Sequence, residues 1–367
     1  MTDAAVTTHA TDESQPDVLE VEGLHVSFRR GGRRSRVLAV NGIDLTIAAG
    51  ETLGLVGESG SGKSTAGRAL MRLVPIDQGT VRVAGVDMAT LKRKELRDAR
   101  RNVQMVFQDP YSSMNPAMVV ADIIGEPLEV QGGMKGRERN RVVAQLLESV
   151  GLSQRHVDRY PYEFSGGQRQ RIAIARAIAM NPKLVVCDEA VSALDVSTQN
   201  QIINLLEDLQ AERGISFLFI AHDLAVVRHI SRRTAVMYLG RILEQGPSSR
   251  LFHLPAHPYT LALLSAVPIP NPTVQRNRPR LVVGGEPPDP TVALTGCPFT
   301  TRCPWVMEIC TVEMPAHTPV EGGGTVACHL QTTGPTLAGR PLADLVLPGD
   351  DGTADATRVG EVTSEVV

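Results

Sequence analysis

Residues Gly57 to Ser64 read GESGSGKS, which places the residue types a polyphosphate needs at the spacing it needs them. They fit G-x-x-x-x-G-K-[ST], follow the apolar run LGLV and open a helical run, AGRALMRLV. In that context glycines let backbone N–H groups converge on phosphate oxygens, and the start of the helix adds positive potential. Lys63 can reach the β- and γ-phosphates, and the Ser64 hydroxyl can ligate Mg²⁺. The candidate nucleotide contacts are Gly57, Glu58, Ser59, Gly60, Ser61, Gly62, Lys63, Ser64 and Thr65. The metal also needs a carboxylate. LVVCDE supplies one at the end of an apolar strand. Asp188 would hold Mg²⁺ through water, and Glu189 would polarise the attacking water as general base.

The surrounding pattern supplies elements that can position these groups. VLEVEGLHVSF and VLAVNGIDLTI alternate apolar and polar residues, as half-buried antiparallel strands do. KLVVCDE and ISFLFIAHD are short apolar runs between helices, the pattern of buried parallel strands. KRKELRDARR predicts a solvated helix, VVAQLLESVGL a helix ending at Gly151, and QRQRIAIARAIAM a helix closed by Asn181-Pro182. TAVMYLGRILEQG predicts a hairpin turning near Gly240. The fold class is therefore α/β. After about residue 254 prolines multiply and helical periodicity fades.

Composition narrows the function further. A chain of 367 residues with 42% apolar content can bury about two domains' worth of core. Net charge is -3, without the basic bias of a nucleic-acid binder, so no nucleic-acid partner is expected. The first 17 residues lack a basic region and an apolar core, which predicts a disordered tail rather than a signal peptide. No run approaches the roughly 18 apolar residues of a membrane span. The expectation is a soluble protein of the reducing cytosol, where disulfides are rare. Four of the five cysteines nevertheless crowd late in the chain, at Cys297, Cys303, Cys310 and Cys328, with spacing C-x5-C-x6-C-x17-C. That spacing lacks the C-x2-4-C knuckles of a zinc finger. Four thiolates can hold a [4Fe–4S] cluster, Zn²⁺ or nothing at all. Cys187, inside the apolar strand, reads as a buried small hydrophobe.

Further motifs make a resemblance. FSGGQRQR, with Ser165, Gly166, Gly167 and Gln168, resembles the L-S-G-G-Q signature of ABC-type ATPases, and it precedes Asp188 as in that family. Gln108 in VFQDP matches the Q-loop glutamine, SALD ending in Asp195 the D-loop, His222 in IAHD the switch histidine, and Phe28 the aromatic that stacks on adenine. The resemblance implies a RecA-like core, an antiparallel β subdomain and a helical subdomain, with two ATPase domains sandwiching two ATP molecules head to tail. Ser165 and Gly167 of one domain would then contact the γ-phosphate held by the other. Gln108 would sense the metal and the γ-phosphate, and His222 would hold the γ-phosphate and orient water. Phe164 in place of leucine, and Ala190-Val191 in place of Pro-Thr, are departures that touch neither nucleotide nor metal.

VQMVFQDPYSSMNPAM, LFHLPAHPYTLALLSAVPIPNP and GCPFTTRCP look like the ATPase subunits of oligopeptide/dipeptide ABC importers. That resemblance implies a second, different ATPase chain, two transmembrane permease subunits and an extracytoplasmic substrate-binding protein. It places the chain peripherally on the cytoplasmic face of the membrane, with the segment after Gln108 receiving the permeases. It also implies a [4Fe–4S] cluster on the four late cysteines, Zn²⁺ being the alternative. Nickel or another small solute is the alternative cargo, and a non-transport ABC ATPase the alternative class. The expected organisation is a tail at 1–17, an ATPase domain at 18–254 with its helical subdomain at about 109–180, an irregular extension at 255–332, and a disordered tail at 333–367.

Overall fold

The computed structural model describes residues 17–29, 36–267, 284–286, 288–289, 295–332 and 342. The two expected tails lie outside these residues, except that Asp17 opens the first strand and Leu342 is buried against Pro255, to whose carbonyl its N–H donates at 3.4 Å.

The strands are β1 (Asp17–Arg29), β2 (Arg36–Ala48), β3 (Thr52–Val56), β4 (Gln78–Val83), β5 (Val86–Asp87), β6 (Val103–Val106), β7 (Leu184–Asp188), β8 (Ser216–Ala221), β9 (Arg233–Tyr238), β10 (Arg241–Pro247), β11 (His317–Pro319) and β12 (Thr325–Ala327). The helices that matter here are α1 (Lys63–Leu70), α2 (Arg93–Ala99), α3 (Val120–Val130), α4 (Gly136–Ser149), α5 (Gly166–Ile178), α6 (Val196–Arg213), α7 (Leu224–Ile230), α8 (Ser248–His253), α9 (Pro258–Ala266) and α10 (Glu308–Val312).

The alternating strands β1 and β2 pair antiparallel and join β4 and β5 in a sheet ordered β2-β1-β4-β5. The continuous apolar runs become the centre of a larger sheet ordered β11-β12-β10-β9-β3-β8-β7-β6. There β6, β7, β8, β3 and β9 are parallel, while β10, β12 and β11 are antiparallel. Because side chains alternate across a strand, each central strand feeds two cores. Leu184, Val186, Leu218 and Ile220 face α1 and the antiparallel sheet. Val185, Cys187, Phe217 and Phe219 face the core shared with α5, α6 and α7. Cys187 is fully buried, as its setting in the sequence suggested.

The helical subdomain is amphipathic in the same way. Val143, Leu146 and Leu147 of α4 form one buried stripe at i, i+3, i+4, and Phe164 takes the apolar site before the signature serine. α2 buries no residue, in keeping with its charge.

The segment after residue 254 is less irregular than its prolines suggest. Its strands β11 and β12 extend the main sheet at the edge of β10, and Tyr259 and Phe299 lie in the main core. Composition hid this because both strands are only three residues long. Glu244 of β10, fully buried, anchors the junction: it accepts from the N–H groups of Ala256 and His257 at 2.9 Å each and from the Arg250 guanidinium of α8. Removing Arg250 would strand that carboxylate. Arg250→Ala is therefore expected to cost about 3–5 kcal/mol in urea unfolding. A loss below about 1 kcal/mol would show that the backbone donors alone suffice.

Candidate ATPase site

The site assembles at the carboxyl ends of the parallel strands, where open α/β sheets bind ligands. Gly57 follows β3, Glu189 follows β7, His222 follows β8 and Gln108 lies two residues beyond β6. β8 lies between β3 and β7, so its end sits between the phosphate loop and the acids.

The loop's glycines are sterically required. A Cβ on Gly57 would come within 2.1 Å of the Met237 carbonyl oxygen, and one on Gly62 within 2.1 Å of the Ala39 carbonyl oxygen. Both also have positive φ, at 154° and 105°. Lys63 opens α1 and is almost wholly buried. Its ammonium donates to the carbonyls of Gly57 at 2.7 Å and Glu58 at 2.8 Å, and to Ser61 Oγ at 3.4 Å. Burial lowers its pKa, opposed by the nearby carboxylates of Glu189, Asp188 and Glu58. Ser64 Oγ donates to Asp188 Oδ1 at 2.6 Å, and Arg68 approaches the other oxygen at 3.8 Å. Burial raises the Asp188 pKa, the mark of a carboxylate without a full complement of positive charge. The hydroxyl and carboxylate expected to share Mg²⁺ thus converge, and the donor set suits a hard cation.

Glu189 has φ of +49°, a costly conformation for a side-chain-bearing residue. It is fixed by its N–H donating to Ile220 at 2.9 Å. Its Oε2 accepts from Gln108 Nε2 at 2.6 Å and lies 3.6 Å from His222 Nδ1. Three residues expected to surround the γ-phosphate are therefore brought together. Ser165 and Gln168 cap α5 reciprocally, and Ala190 and Val191, which depart from the usual Pro-Thr, are both buried. A Cβ on Gly166 or Gly167 would meet Leu194 or Thr198 rather than the phosphate loop. Ser165 and Gly166 are exposed and Gly167 and Gln168 half-buried, with the neighbours of the two glycines coming from Leu194 and Thr198. Asp195 caps α6, accepting from Thr198 N at 3.0 Å and from the Ser197 and Thr198 hydroxyls, which hold its pKa well below the carboxylate range. Phe28 stands 40% exposed near the end of β1, on the strand beside the one that passes Gly62.

Cys297, Cys303, Cys310 and Cys328 line one cavity of about 20 Å³ with Phe299, Trp305 and His257. The sulfurs of Cys297, Cys303 and Cys328 accept from the backbone N–H two residues on, at Phe299, Trp305 and Leu330. Burial pushes the thiols of Cys297 and Cys303 up to about 11 and about 12 and that of Cys328 higher still, so bare thiols stay protonated and a bound cation would be needed to ionise them. His257 Nδ1 accepts from Tyr259 N at 3.0 Å, which leaves the ring proton on Nε2. That Nε2 and Trp305 Nε1 are buried with no partner among the described residues. Four thiols round one cavity and two unpartnered N–H donors are the residue types a sulfur-ligated group uses. Among the described residues no three His, Cys, Asp or Glu side chains stand close enough to hold a single ion.

Sequence reasoning missed two contacts to the P-loop. Arg302 donates to Glu58 Oε2 at 2.8 Å, and Tyr259 OH accepts from Glu58 N at 2.8 Å. Tyr259 lies in the HPYT segment and Arg302 in TTRCP, both noted above for other reasons; no local spacing signals a contact across 201 or 244 residues.

The strand-end site, the P-loop and the outward signature define an ATP-hydrolysing cassette. Residues 40–192 match the family described as ABC transporter, and residues 243–310 match the oligopeptide/dipeptide transporter C-terminal region. The chain is 51% identical over 314 residues to the putative oligopeptide transport ATP-binding protein YkfD of Bacillus subtilis, covering 85% of this chain and 95% of that one. It is 47% identical over 316 residues to the oligopeptide transport ATP-binding protein OppF of Escherichia coli, covering 84% and 94%. The dimeric ATP-binding cassette MJ0796, solved in a post-hydrolysis state with ADP and Pi, aligns at a TM-score of 0.57 and 29% identity, covering 63% of this chain and 98% of that one. The chain belongs to the ABC transporter ATP-binding family, in its oligopeptide/dipeptide transporter branch. It is an ABC ATPase of mixed α/β fold, and no described helix is long and apolar enough to cross a membrane.

Proposed function

We propose that this chain hydrolyses ATP to power peptide import through a partner membrane complex. The observation that carries the reading is the pairing of a fully equipped P-loop half-site with a C-terminal region of the oligopeptide/dipeptide type. In this reading Glu189 is the general base, His222 and Gln108 attend the γ-phosphate, and Ser64 and Asp188 hold Mg²⁺, which offsets phosphate charge when bound. Phe28 stacks on adenine. The signature at Ser165–Gln168, its first two residues exposed and Asp195 nearby, serves the ATP held by a second ATPase subunit.

The membrane partners are two permease subunits fed by an extracytoplasmic binding protein, which puts this chain on the cytoplasmic face of the membrane. A cavity of about 240 Å³ between the helical subdomain and the sheet supports a docking place just after Gln108. Phe107, Met114 and Val130 line it with apolar surface, and Arg176, paired with Glu126 at 2.8 Å, adds a polar group. Reconstitution in vesicles with permease subunits and a binding protein of the oligopeptide type tests the function. Short peptides plus binding protein are expected to stimulate ATP turnover; stimulation by nickel and not by peptides would overturn the cargo.

The cysteine pocket is read as the seat of a [4Fe–4S] cluster, a structural staple for the extension. Supporting this are the four thiols round one cavity and the unpartnered N–H donors of His257 and Trp305 that line it. Anaerobically purified protein is expected to be brown with about four irons per chain, and Cys328→Ser to lose most of that iron. Colourless protein with one zinc per chain would replace the cluster by the zinc alternative.

A further inference from the structure

Glu58 is an awkward residue for a phosphate site. Its carboxylate sits one position into the P-loop, where an unpaired negative charge would repel the incoming polyphosphate. Each of its polar groups is nevertheless held. The carbonyl accepts from Lys63 at 2.8 Å, the N–H donates to Tyr259 OH at 2.8 Å, and Oε2 accepts from Arg302 Nη1 at 2.8 Å. Two of these three holds come from beyond residue 254, outside the ABC ATPase motifs.

Those two holds share one support. Tyr259 is fully buried, its ring 4.6 Å from that of Tyr238 and 5.4 Å from that of Phe299. The Arg302 guanidinium lies over the same two rings, 5.9 Å from Tyr238 and 5.7 Å from Phe299, with its side chain only 13% exposed. The guanidinium is thus held on the protein side of the pair, while the Glu58 carboxylate, 35% exposed, keeps a face to solvent. Arg302 immediately precedes Cys303, and Phe299 follows Cys297 by two residues; Phe299 and both cysteines line the thiol cavity. The Cys297 N–H donates to the Cys310 carbonyl at 2.8 Å and closes the loop on itself. Tyr259 is tied to the same cavity through its N–H to His257 Nδ1.

We propose that Arg302 and Tyr259 are positioning residues for the P-loop: they neutralise and orient Glu58, set the affinity for ATP, and so make the cysteine pocket and the nucleotide site one energetic unit. The extension then does more than mark a branch of the family. Whatever fixes the sulfurs of Cys297 and Cys303 also fixes the guanidinium between them, and the loss of that group is felt at the phosphates. This last arm rests on the reading of the pocket as a metal site; the Glu58 contacts do not.

The test is MgATP affinity by titration calorimetry in the full-length chain, with Glu189→Gln in every variant to prevent turnover. Iron content and thermal midpoint are measured alongside. Arg302→Met keeps the stem over Tyr238 and Phe299 but removes the charge. It is expected to weaken ATP about tenfold with iron retained. Adding Glu58→Gln should restore affinity to within about twofold, since no unpaired carboxylate then remains. Tyr259→Phe removes one oxygen from a buried ring, should weaken ATP about threefold, and reads the same hold if Arg302→Met does not fold. Wild-type affinity in both variants, or no restoration by Glu58→Gln, overturns the proposal. Cys303→Ser should lose iron and weaken ATP as Arg302→Met does, without adding to it. Iron loss with full affinity breaks the link to the pocket. A parent chain free of any metal would instead sink the cluster reading, while the Glu58 cycle still decides the role of Arg302.

Discussion

Glu189→Gln is expected to bind MgATP as the parent chain does and to hydrolyse it about 10²–10⁴-fold more slowly, the usual contribution of a general base. The argument is geometric before it is chemical. Glu189 adopts a left-handed backbone conformation that costs on the order of 1 kcal/mol or more. That strain is offset by the hydrogen bond that the Glu189 N–H donates to the Ile220 carbonyl in the neighbouring strand, and it turns the side chain toward Gln108 and His222. Gln108 occupies Oε2, and no described donor takes Oε1, which leaves one oxygen to accept from a water. Glutamine keeps the shape and can still meet Gln108, but its amide cannot take a proton from that water. Ligand binding should therefore survive where turnover does not. The measurement is single-turnover release of phosphate beside equilibrium binding of MgATP. Turnover within tenfold of the parent would remove Glu189 from the base role and leave His222 as the next group to replace.

The candidate half-site could be picked out in the sequence because its residues lie in short motifs whose chemistry is local. Gly57 to Ser64 announces itself within eight positions, and Asp188 with Glu189 needs only the apolar strand before it. Parallel-strand topology then brings Gln108, Glu189 and His222 together, although they are spread over more than a hundred positions; family resemblance named Gln108 and His222, and the strand ends explain all three. Asp195 shows the limit of motif reading. Its position was marked, but the carboxylate spends its hydrogen bonds on the first turn of α6. The extension was the least legible part. Prolines and cysteines dominated its composition, while β11 and β12 are too short to show a period. The Arg302–Glu58 pair joins a P-loop residue to an arginine 244 positions away, and only packing against Tyr238 and Phe299 makes it a contact.

Lys63→Ala should weaken MgATP by about 10–100-fold, the worth of one or two charge-assisted hydrogen bonds lost from a buried site. Lys63 is 4% exposed, and its ammonium already spans the loop from inside by donating to Gly57, Glu58 and Ser61. It therefore organises the cradle before nucleotide arrives, and alanine would remove both the phosphate contact and that organiser. Burial alone would lower its charge, but Glu189, Asp188 and Glu58 oppose this. An ATP polyphosphate brings further negative charge to the same ammonium, so binding should strengthen its protonation. Lys63→Arg is not expected to rescue affinity, because a planar guanidinium cannot aim three donors at acceptors gathered round a single nitrogen. Unchanged ATP affinity in Lys63→Ala would contradict the phosphate-loop assignment. Full rescue by arginine would show that charge alone, rather than the compact geometry of the ammonium, holds the phosphates.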